Sequence, residues 1–206
     1  MALRRPAGKH PIGDGRAASE QRESQGTKCE LSSRGRLADL GMSFRDKILP
    51  PGTLNAWRAQ VRERGRRLVV TNGCFDLLHL GHATYLEAAR ALGDLLLVGI
   101  NSDASVRRLK GPARPIHAQD DRAALIAALA SVDAVVIFDE TSAERFLAEA
   151  KPDIWAKGAD YNLETLHPVE RATVEQAGGR IAFLTLVPGR STTATLRKIE
   201  AEEKKE

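Results

Sequence analysis

The chain has 206 residues, of which 42% are hydrophobic and 28% charged, a composition typical of a soluble globular protein with one domain and tails. Its formal net charge of +4 lies mostly in the first 41 residues, where eight Lys/Arg face five Asp/Glu, which leaves +1 for the rest. Because the body is nearly neutral and only 4% of residues are aromatic, the sequence argues against a nucleic-acid-binding protein.

Cysteine usage and hydropathy bear on the compartment. The two cysteines, Cys29 and Cys74, cannot form a disulfide framework, so we expect a reducing, cytoplasmic environment. The longest strongly apolar run, residues 95–100, is too short to span a bilayer, and no apolar stretch follows the first arginines as a signal peptide requires. The sequence therefore predicts no membrane partner.

Three parts are predicted along the chain. Residues 1–41 are rich in Gly, Ser, Arg and Gln without apolar periodicity, which predicts a disordered N-terminal extension. Residues 42–200 form the predicted folded domain, with Met42 opening the first stretch of apolar content. Residues 201–206 form a charged C-terminal tail.

The domain alternates short apolar runs with amphipathic segments. Strands are predicted at residues 68–71, 95–100, 134–138, 153–156 and 181–186. Helices are predicted at residues 53–64 (capped by Thr53), 83–92, 104–109 (capped within 101–103), 119–130, 141–150, 169–177 and from 192 onward. This alternation predicts an α/β protein with a Rossmann-like, doubly wound, parallel five-stranded sheet and helices on both faces.

The most informative stretch joins the first strand to the following helix. His79 and His82 lie three residues apart, with Gly81 between them, at the mouth of that helix. Unpaired N–H groups and the positive dipole end of a helix favour anionic oxygens there. Gly73 and Gly81 also allow the backbone to approach a ligand closely. A solvated loop explains one such histidine, but two in this context favour an anion site.

Ligands of parallel sheets bind beyond the carboxyl ends of the strands, which selects further segments. Ser191, Thr192 and Thr193 follow the last strand, where their hydroxyls suit either a polyphosphate or simple helix capping, with Arg190 adding charge.

Two cation-bearing segments are also candidates. Lys110 and Arg114 lie in a loop punctuated by two prolines and a glycine, where they can close over phosphates or form a solvated surface pair. Lys157 follows a strand end and can reach a phosphate, and Asp160 can contact a sugar hydroxyl or a metal.

Several other kinds of site are disfavoured. Asp76 can position a nucleotide, a sugar hydroxyl or a magnesium ion, but the chain has no His/Cys cluster with zinc spacing. It also lacks a P-loop and a serine nucleophile elbow, and Cys74 is better explained as a small buried residue than as a nucleophile. These observations leave phosphoryl chemistry without a covalent nucleophile, and we predict no protein-bound metal.

The same segments, in the same order, resemble the D-glycero-D-manno-heptose 1-phosphate adenylyltransferase family, within the nucleotidyltransferase superfamily that contains the cytidylyltransferases. The resemblance spans roughly residues 54–198. It rests on residues 71–76, 79–82, 101–106, 108–111, 114–115, 157–161 and 191–193. Residues 1–41 have no counterpart, and Arg190 stands where related cytidylyltransferases often have an apolar residue.

The resemblance implies transfer of AMP from ATP to D-glycero-beta-D-manno-heptose 1-phosphate, giving ADP-heptose and pyrophosphate for the inner core of lipopolysaccharide. It also implies that Mg²⁺ accompanies ATP and that the chain is a stand-alone form that works with a separate heptose kinase. A homodimer is compatible with the resemblance. The implied catalytic residues are His79, His82 and Lys110. The implied nucleotide-binding residues are Asn72, Gly73, Cys74, Phe75, Gly81, Lys157, Gly158, Ser191, Thr192 and Thr193, and the implied substrate-binding residues are Asp76, Asp103, Arg114 and Asp160.

Rival functions share the histidine loop. Within the superfamily they are a cytidylyltransferase acting on glycerol phosphate or ethanolamine phosphate, and a flavin nucleotide adenylyltransferase. A GTP-dependent enzyme acting on the other heptose anomer is a further alternative, although we expect it in a different fold. From another class, a nucleotide-binding regulatory module without turnover is disfavoured by the retention of both histidines, Lys110 and the Ser-Thr-Thr segment.

Overall fold

The computed structural model describes residues 43–158, 162, 164–185, 192, 195, 196 and 202. The predicted N-terminal extension therefore lies outside the described residues. So do Asp160, Arg190, Ser191 and Thr193, and most of the predicted last helix and tail.

A five-stranded parallel sheet forms the centre of the domain. Its strands are β1 (Leu68–Gly73), β2 (Leu95–Asn101), β3 (Ala134–Phe138), β4 (Ile154–Gly158) and β5 (Arg180–Leu184). They lie side by side in the order β3-β2-β1-β4-β5, all parallel. The strand order reverses at β1, so ligands are expected in the crevice beyond the carboxyl ends of β1 and its neighbours.

The described residues form six α-helices, of which the first precedes β1 and the other five lie between successive strands. They are α1 (Leu54–Glu63), α2 (Leu80–Arg90), α3 (Asp103–Lys110), α4 (Gln119–Ala127), α5 (Glu144–Ala150) and α6 (Pro168–Gln176). A short 3-10 helix, Phe44–Lys47, precedes them. All six helices were predicted, with ends that differ by up to three residues.

Three helix starts can be compared with their predicted caps and boundaries. Thr53 is the N-cap residue of α1, as predicted, but it makes no side-chain capping bond, because its hydroxyl donates to the Pro50 carbonyl at 2.7 Å instead of accepting from the helix. Ser102, within the predicted cap of α3, does accept from the backbone N–H of Ser105 at 3.2 Å. Helix α2 begins three residues earlier than predicted, because His79 already has extended backbone and serves as its N-cap.

Apolar side chains fill a core on each face of the sheet. Because successive strand residues point to opposite faces, Val69 packs with α2 and α4 while Val70 packs with α1, α5 and α6. This arrangement confirms the predicted doubly wound α/β class with helices on both faces.

The outer edge of β3 is partly covered by the chain that precedes α1. Ile48 forms an isolated parallel bridge with Val135, and the Leu49 N–H donates to the Val135 carbonyl at 2.9 Å. Phe44 and Ile48 also pack against the core on the α2 and α4 face.

Among the described residues, no helix is both long enough and apolar enough to cross a membrane.

Gly99, within β2, leaves room for an aromatic ring of α5 against the sheet. A Cβ atom there would lie 2.6 Å from the ring of Phe146, which is itself stacked on Phe138 with ring centroids 5.2 Å apart. Gly99→Ala should therefore lower the free energy of unfolding by about 1–3 kcal/mol, measured by urea denaturation. In the double variant Gly99→Ala/Phe146→Leu the shorter side chain makes room, so its loss should be smaller than the sum of the two single losses. A fully stable Gly99→Ala protein would contradict this packing.

Candidate active site

The two histidines of the loop after β1 form a stacked pair. Their ring centroids lie 3.8 Å apart with an interplanar angle of 14°. His79 is the N-cap of α2, and its carbonyl accepts from the His82 N–H at 2.9 Å, so the first helical turn sets the ring spacing. The structure therefore places both imidazoles at the positive end of α2, where an anionic oxygen is favoured.

Phe75 supports the pair from the preceding turn. It is a non-glycine residue with positive φ, 47°, which turns the chain sharply after β1. Its ring lies 5.2 Å from the His82 ring and would be 3.2 Å from a Cβ atom at Gly73. A side chain at Gly73 would thus push against the ring that packs on His82.

His82 is held in its neutral form. Its pKa is lowered to about 4, mainly by burial and in addition by the charges of the neighbouring His79 and Lys110. Its Nδ1 atom is buried and has no hydrogen-bond partner among the described residues. An anionic ligand beside the pair would favour the protonated imidazole and so raise this pKa.

Lys110 ends α3 and is exposed, yet it acts on the histidine loop. Its positive charge contributes to the low pKa of His82 and partly offsets the rise in the pKa of Cys74. For Cys74 the largest effect is burial, which raises the pKa, so the thiol stays protonated at neutral pH. The structure thus brings Lys110 to the histidines. Cys74 is half-buried, not buried as expected, and its protonated thiol disfavours a nucleophilic role.

Asp76 and Arg114 join the histidine loop to the proline-punctuated loop. Asp76 is 2% exposed, and its carboxylate accepts from the backbone N–H groups of Ile116 at 2.7 Å and His117 at 3.3 Å. Nε and Nη2 of Arg114 both contact its other oxygen. This ion pair holds the two loops together, a role that we did not predict. The predicted contacts of Asp76 and Arg114 with substrate stay predictions.

Arg122, in the first turn of α4, is the residue that sequence reasoning missed. Only 1% of it is exposed, and its guanidinium donates four hydrogen bonds of 2.6–3.0 Å. The acceptors are the carbonyls of Cys74, Asn101 and His117 and the carboxylate of Asp103. Arg122 therefore ties the ends of β1 and β2 to the loop between α3 and α4. It also pairs with the Asp103 carboxylate, and the predicted contact of Asp103 with substrate stays a prediction.

A signal for Arg122 was present in the sequence. The buried face of α4 consists of Arg122, Ala123, Ile126 and Ala127, so the arginine occupies the apolar stripe at helical spacing. A charge within such a stripe must find partners, because an unpaired buried charge is strongly unfavourable.

The remaining predicted residues that the structure describes lie near the same edge of the sheet. Asn72 and Gly73 end β1, and Lys157 and Gly158 end the neighbouring β4. Gly81 is buried in the first turn of α2. Thr192 donates its hydroxyl to the Leu77 carbonyl at 3.4 Å, which brings the described part of the Ser-Thr-Thr segment to the histidine loop.

The carboxylates near the histidines are already engaged by arginines, Asp76 with Arg114 and Asp103 with Arg122. Among the described residues no group of three or more His, Cys, Asp or Glu side chains is arranged to hold a metal ion. These residues therefore do not form a protein cage for Mg²⁺, which prefers octahedral oxygen ligands.

A parallel sheet with paired histidines at its carboxyl edge, at the start of a helix, is an arrangement suited to binding the phosphates of a nucleotide. A family model described as Cytidylyltransferase-like matches residues 70–182, more than half of the chain. The chain belongs to this cytidylyltransferase-like family.

The chain is also similar to several curated proteins named Bifunctional protein HldE. The protein from Syntrophotalea carbinolica is 52% identical over 138 residues, which cover 67% of this chain and 28% of the relative. The one from Mesorhizobium japonicum is 49% identical over 159 residues (77% and 32%), and the one from Geotalea uraniireducens is 47% identical over 173 residues (82% and 35%). The chain thus spans about a third of the length of these relatives.

Among solved structures, the chain is similar to a lipopolysaccharide core biosynthesis protein from Thermoplasma volcanium GSS1. The two are 32% identical with a TM-score of 0.49, over 60% of this chain and 98% of the other.

The low pKa of His82 makes stability depend on pH. His82 titrates near 6.5 in the unfolded chain but near 4 in the folded chain, so the unfolded state binds the proton first as pH falls. The free energy of unfolding should therefore fall between about pH 6.5 and pH 4, with His82 contributing on the order of 2–3 kcal/mol. His82→Gln should remove this contribution, measured by urea denaturation across that range.

The exposed His167 provides the control, because His167→Gln should leave the pH profile of the wild type unchanged. Identical profiles for wild type and His82→Gln would show that His82 is not held neutral by the fold.

Arg122 should be essential to stability as well as to the site. Arg122→Met leaves three carbonyls and the Asp103 carboxylate without their donor, and should lower the free energy of unfolding by about 3–5 kcal/mol in urea denaturation. Arg145→Met is the matched control, because the Arg145 side chain is 75% exposed and its ion pairs are worth little. Equal stability of the two variants would contradict the role assigned to Arg122.

Proposed function

We propose that the chain is an adenylyltransferase that moves AMP from ATP to D-glycero-beta-D-manno-heptose 1-phosphate, giving ADP-heptose and pyrophosphate for the inner core of lipopolysaccharide. The observation that carries the proposal is the stacked His79–His82 pair beside Lys110, in a chain about half identical to proteins named HldE. The order of segments that resembles the heptose 1-phosphate adenylyltransferase family supports the same substrate class. A separate heptose kinase and a homodimer stay predictions.

The reaction requires an in-line displacement at phosphorus. A phosphate oxygen of the sugar attacks the α-phosphorus of ATP, a new P–O bond forms, and the bond to the β-phosphate breaks to release pyrophosphate. No covalent enzyme intermediate is needed, so the protein contributes positioning and charge stabilisation.

His79 and His82 would hold the α-phosphate where negative charge develops. The start of α2 supplies the dipole and N–H groups that favour an anion, and the stack fixes both rings before the ligand arrives. Because His82 is neutral without ligand, it would meet the α-phosphate as an N–H donor. The negative charge of the phosphate would then raise the pKa of His82 and favour uptake of a proton from solvent by its imidazole.

Lys110 would bridge the phosphates of donor and acceptor. It lies at the end of α3 with an exposed side chain, close enough to the histidines to lower the pKa of His82. A flexible ammonium there can approach both anions as they meet. Thr192, which contacts the histidine loop, would add a hydroxyl to the β- and γ-phosphates together with Ser191 and Thr193.

Magnesium belongs with the substrate in this proposal. The described carboxylates at the site are paired with arginines, so Mg²⁺ would arrive bound to the phosphates of ATP and offset the charge of the leaving pyrophosphate.

The proposal is tested by pyrophosphate release with magnesium, offering ATP, CTP and GTP in parallel with each anomer of D-glycero-D-manno-heptose 1-phosphate. Turnover with ATP and the beta anomer is the expected result. Turnover with CTP, or none with either heptose phosphate, would overturn the substrate assignment and direct the search to alcohol phosphates and flavin mononucleotide. His79→Ala and His82→Ala should each lower kcat by about 10² or more in the same assay.

Lys110→Ala should reduce kcat/KM for the sugar phosphate by about tenfold to a hundredfold without changing the melting temperature, because its side chain is exposed. It should also raise the pKa of His82, measured by NMR titration, because Lys110 lowers that pKa in the wild type. Arg107→Ala removes an exposed cation from the same helix and should leave both quantities unchanged. Equal effects of the two variants would contradict a specific role of Lys110 in binding the phosphates.

A further inference from the structure

Trp155 contacts two of the residues predicted to bind the nucleotide. It lies in β4, is fully buried, and donates its indole N–H to the side-chain oxygen of Asn72 at 3.0 Å. The ammonium of Lys157 lies 4.7 Å from the centre of its ring. One aromatic side chain therefore touches the polar residues near the ends of both β1 and β4.

The indole fixes which way the Asn72 amide faces. Indole nitrogen is a donor and never an acceptor, so Asn72 must present its oxygen to Trp155. The amide NH₂ group then points away from the indole. Asn72 is half-buried and directly precedes Gly73, the last residue of β1 before the histidine loop. Its NH₂ group is thereby held as a hydrogen-bond donor at the carboxyl edge of the sheet.

The same ring restrains Lys157. The side chain is only 8% exposed, and a desolvated ammonium over the face of an indole is favourable by cation–π attraction. This contact keeps the charge near the end of β4 instead of letting the flexible chain extend into water.

These three residues and the histidines approach the edge from opposite faces of the sheet. Thr71 lies within 2.8 Å of the Tyr85 hydroxyl and so faces α2, which makes its neighbour Asn72 face the other side. Trp155 pairs in register with Val70 and packs in the same core as that residue. A nucleotide over the carboxyl edge can meet the histidines from one face and Asn72 with Lys157 from the other.

We propose that Trp155 is a positioning residue for nucleotide binding, which fixes the Asn72 amide as a donor and the Lys157 ammonium as a cation toward oxygen atoms of the nucleotide. The proposal rests on the proposed nucleotidyl transfer but concerns the affinity for the nucleoside triphosphate, not the choice of sugar phosphate. Trp155 acts through its neighbours, so its loss should weaken nucleotide binding and leave the chemical step nearly unchanged.

The first experiment measures binding of MgATP and MgCTP by calorimetry, without any sugar phosphate. Trp155→Phe keeps a ring but removes the N–H, and should weaken binding of the preferred nucleotide about tenfold, the loss of one hydrogen bond. Trp57→Phe is the matched control, because Trp57 packs at the edge of the core on α1 and should leave affinity unchanged. Equal affinities of Trp155→Phe and wild type would overturn the proposal.

A double-mutant cycle separates positioning from general packing. If Trp155 acts through Asn72, Trp155→Phe should weaken binding much less in an Asn72→Ala background than in the wild type. Fully additive losses would show that Trp155 acts only through packing and would overturn the proposal. In turnover assays Trp155→Phe should raise KM for the nucleotide about tenfold with kcat within about twofold.

Fluorescence gives a readout that needs no change at Trp155. The chain has two tryptophans, so in Trp57→Phe all tryptophan emission comes from Trp155. Addition of the nucleotide should change that emission, because Asn72 and Lys157 both touch the indole. An emission unchanged at saturating nucleotide would overturn the proposal. Since these measurements omit the heptose phosphate, they stand whether or not the sugar assignment holds.

Discussion

The guanidinium of Arg122 is the constraint on which the site depends. It brings together the carbonyls at the ends of β1 and β2 and the carbonyl of His117, with Asp103 as its counter-charge. A parallel sheet leaves such groups at its carboxyl edge, where the chain turns away from the ladder and the carbonyls need new donors. One buried arginine meets that need and at the same time fixes where the loops of the site begin. The Asp76–Arg114 pair then closes the second connection between the same loops.

The division of the edge into two faces organises the chemistry. The histidine pair stands on the face covered by α2 and α4, and the Asn72, Trp155 and Lys157 group stands on the face covered by α1, α5 and α6. Helices on both faces are thus more than a way to bury the sheet. They let the carboxyl edge of the sheet present the stacked imidazoles from one side and a restrained cation from the other.

Much of this architecture was predictable, for identifiable reasons. The five strands were found because parallel strands read as continuous apolar runs, and the range predicted for β3 matches residue for residue. The histidine loop was found because its residues are adjacent in sequence. The Arg122–Cys74, Asp76–Arg114 and Trp155–Asn72 contacts were missed, because each joins residues 38 or more positions apart, which periodicity does not encode. Thr53 was correctly predicted as the N-cap residue of α1, but the sequence did not show that its hydroxyl would bond a local carbonyl instead of the helix.

The bridge between Ile48 and Val135 affects how readily the edge strand β3 can pair with another chain. An outermost strand offers unpaired N–H and C=O groups that can recruit a strand from another chain. Here the Leu49 N–H already occupies the Val135 carbonyl, and the two prolines that follow cannot donate to a ladder. The segment before α1 thus pairs with part of β3 and leaves fewer of its backbone groups open to a strand from another chain.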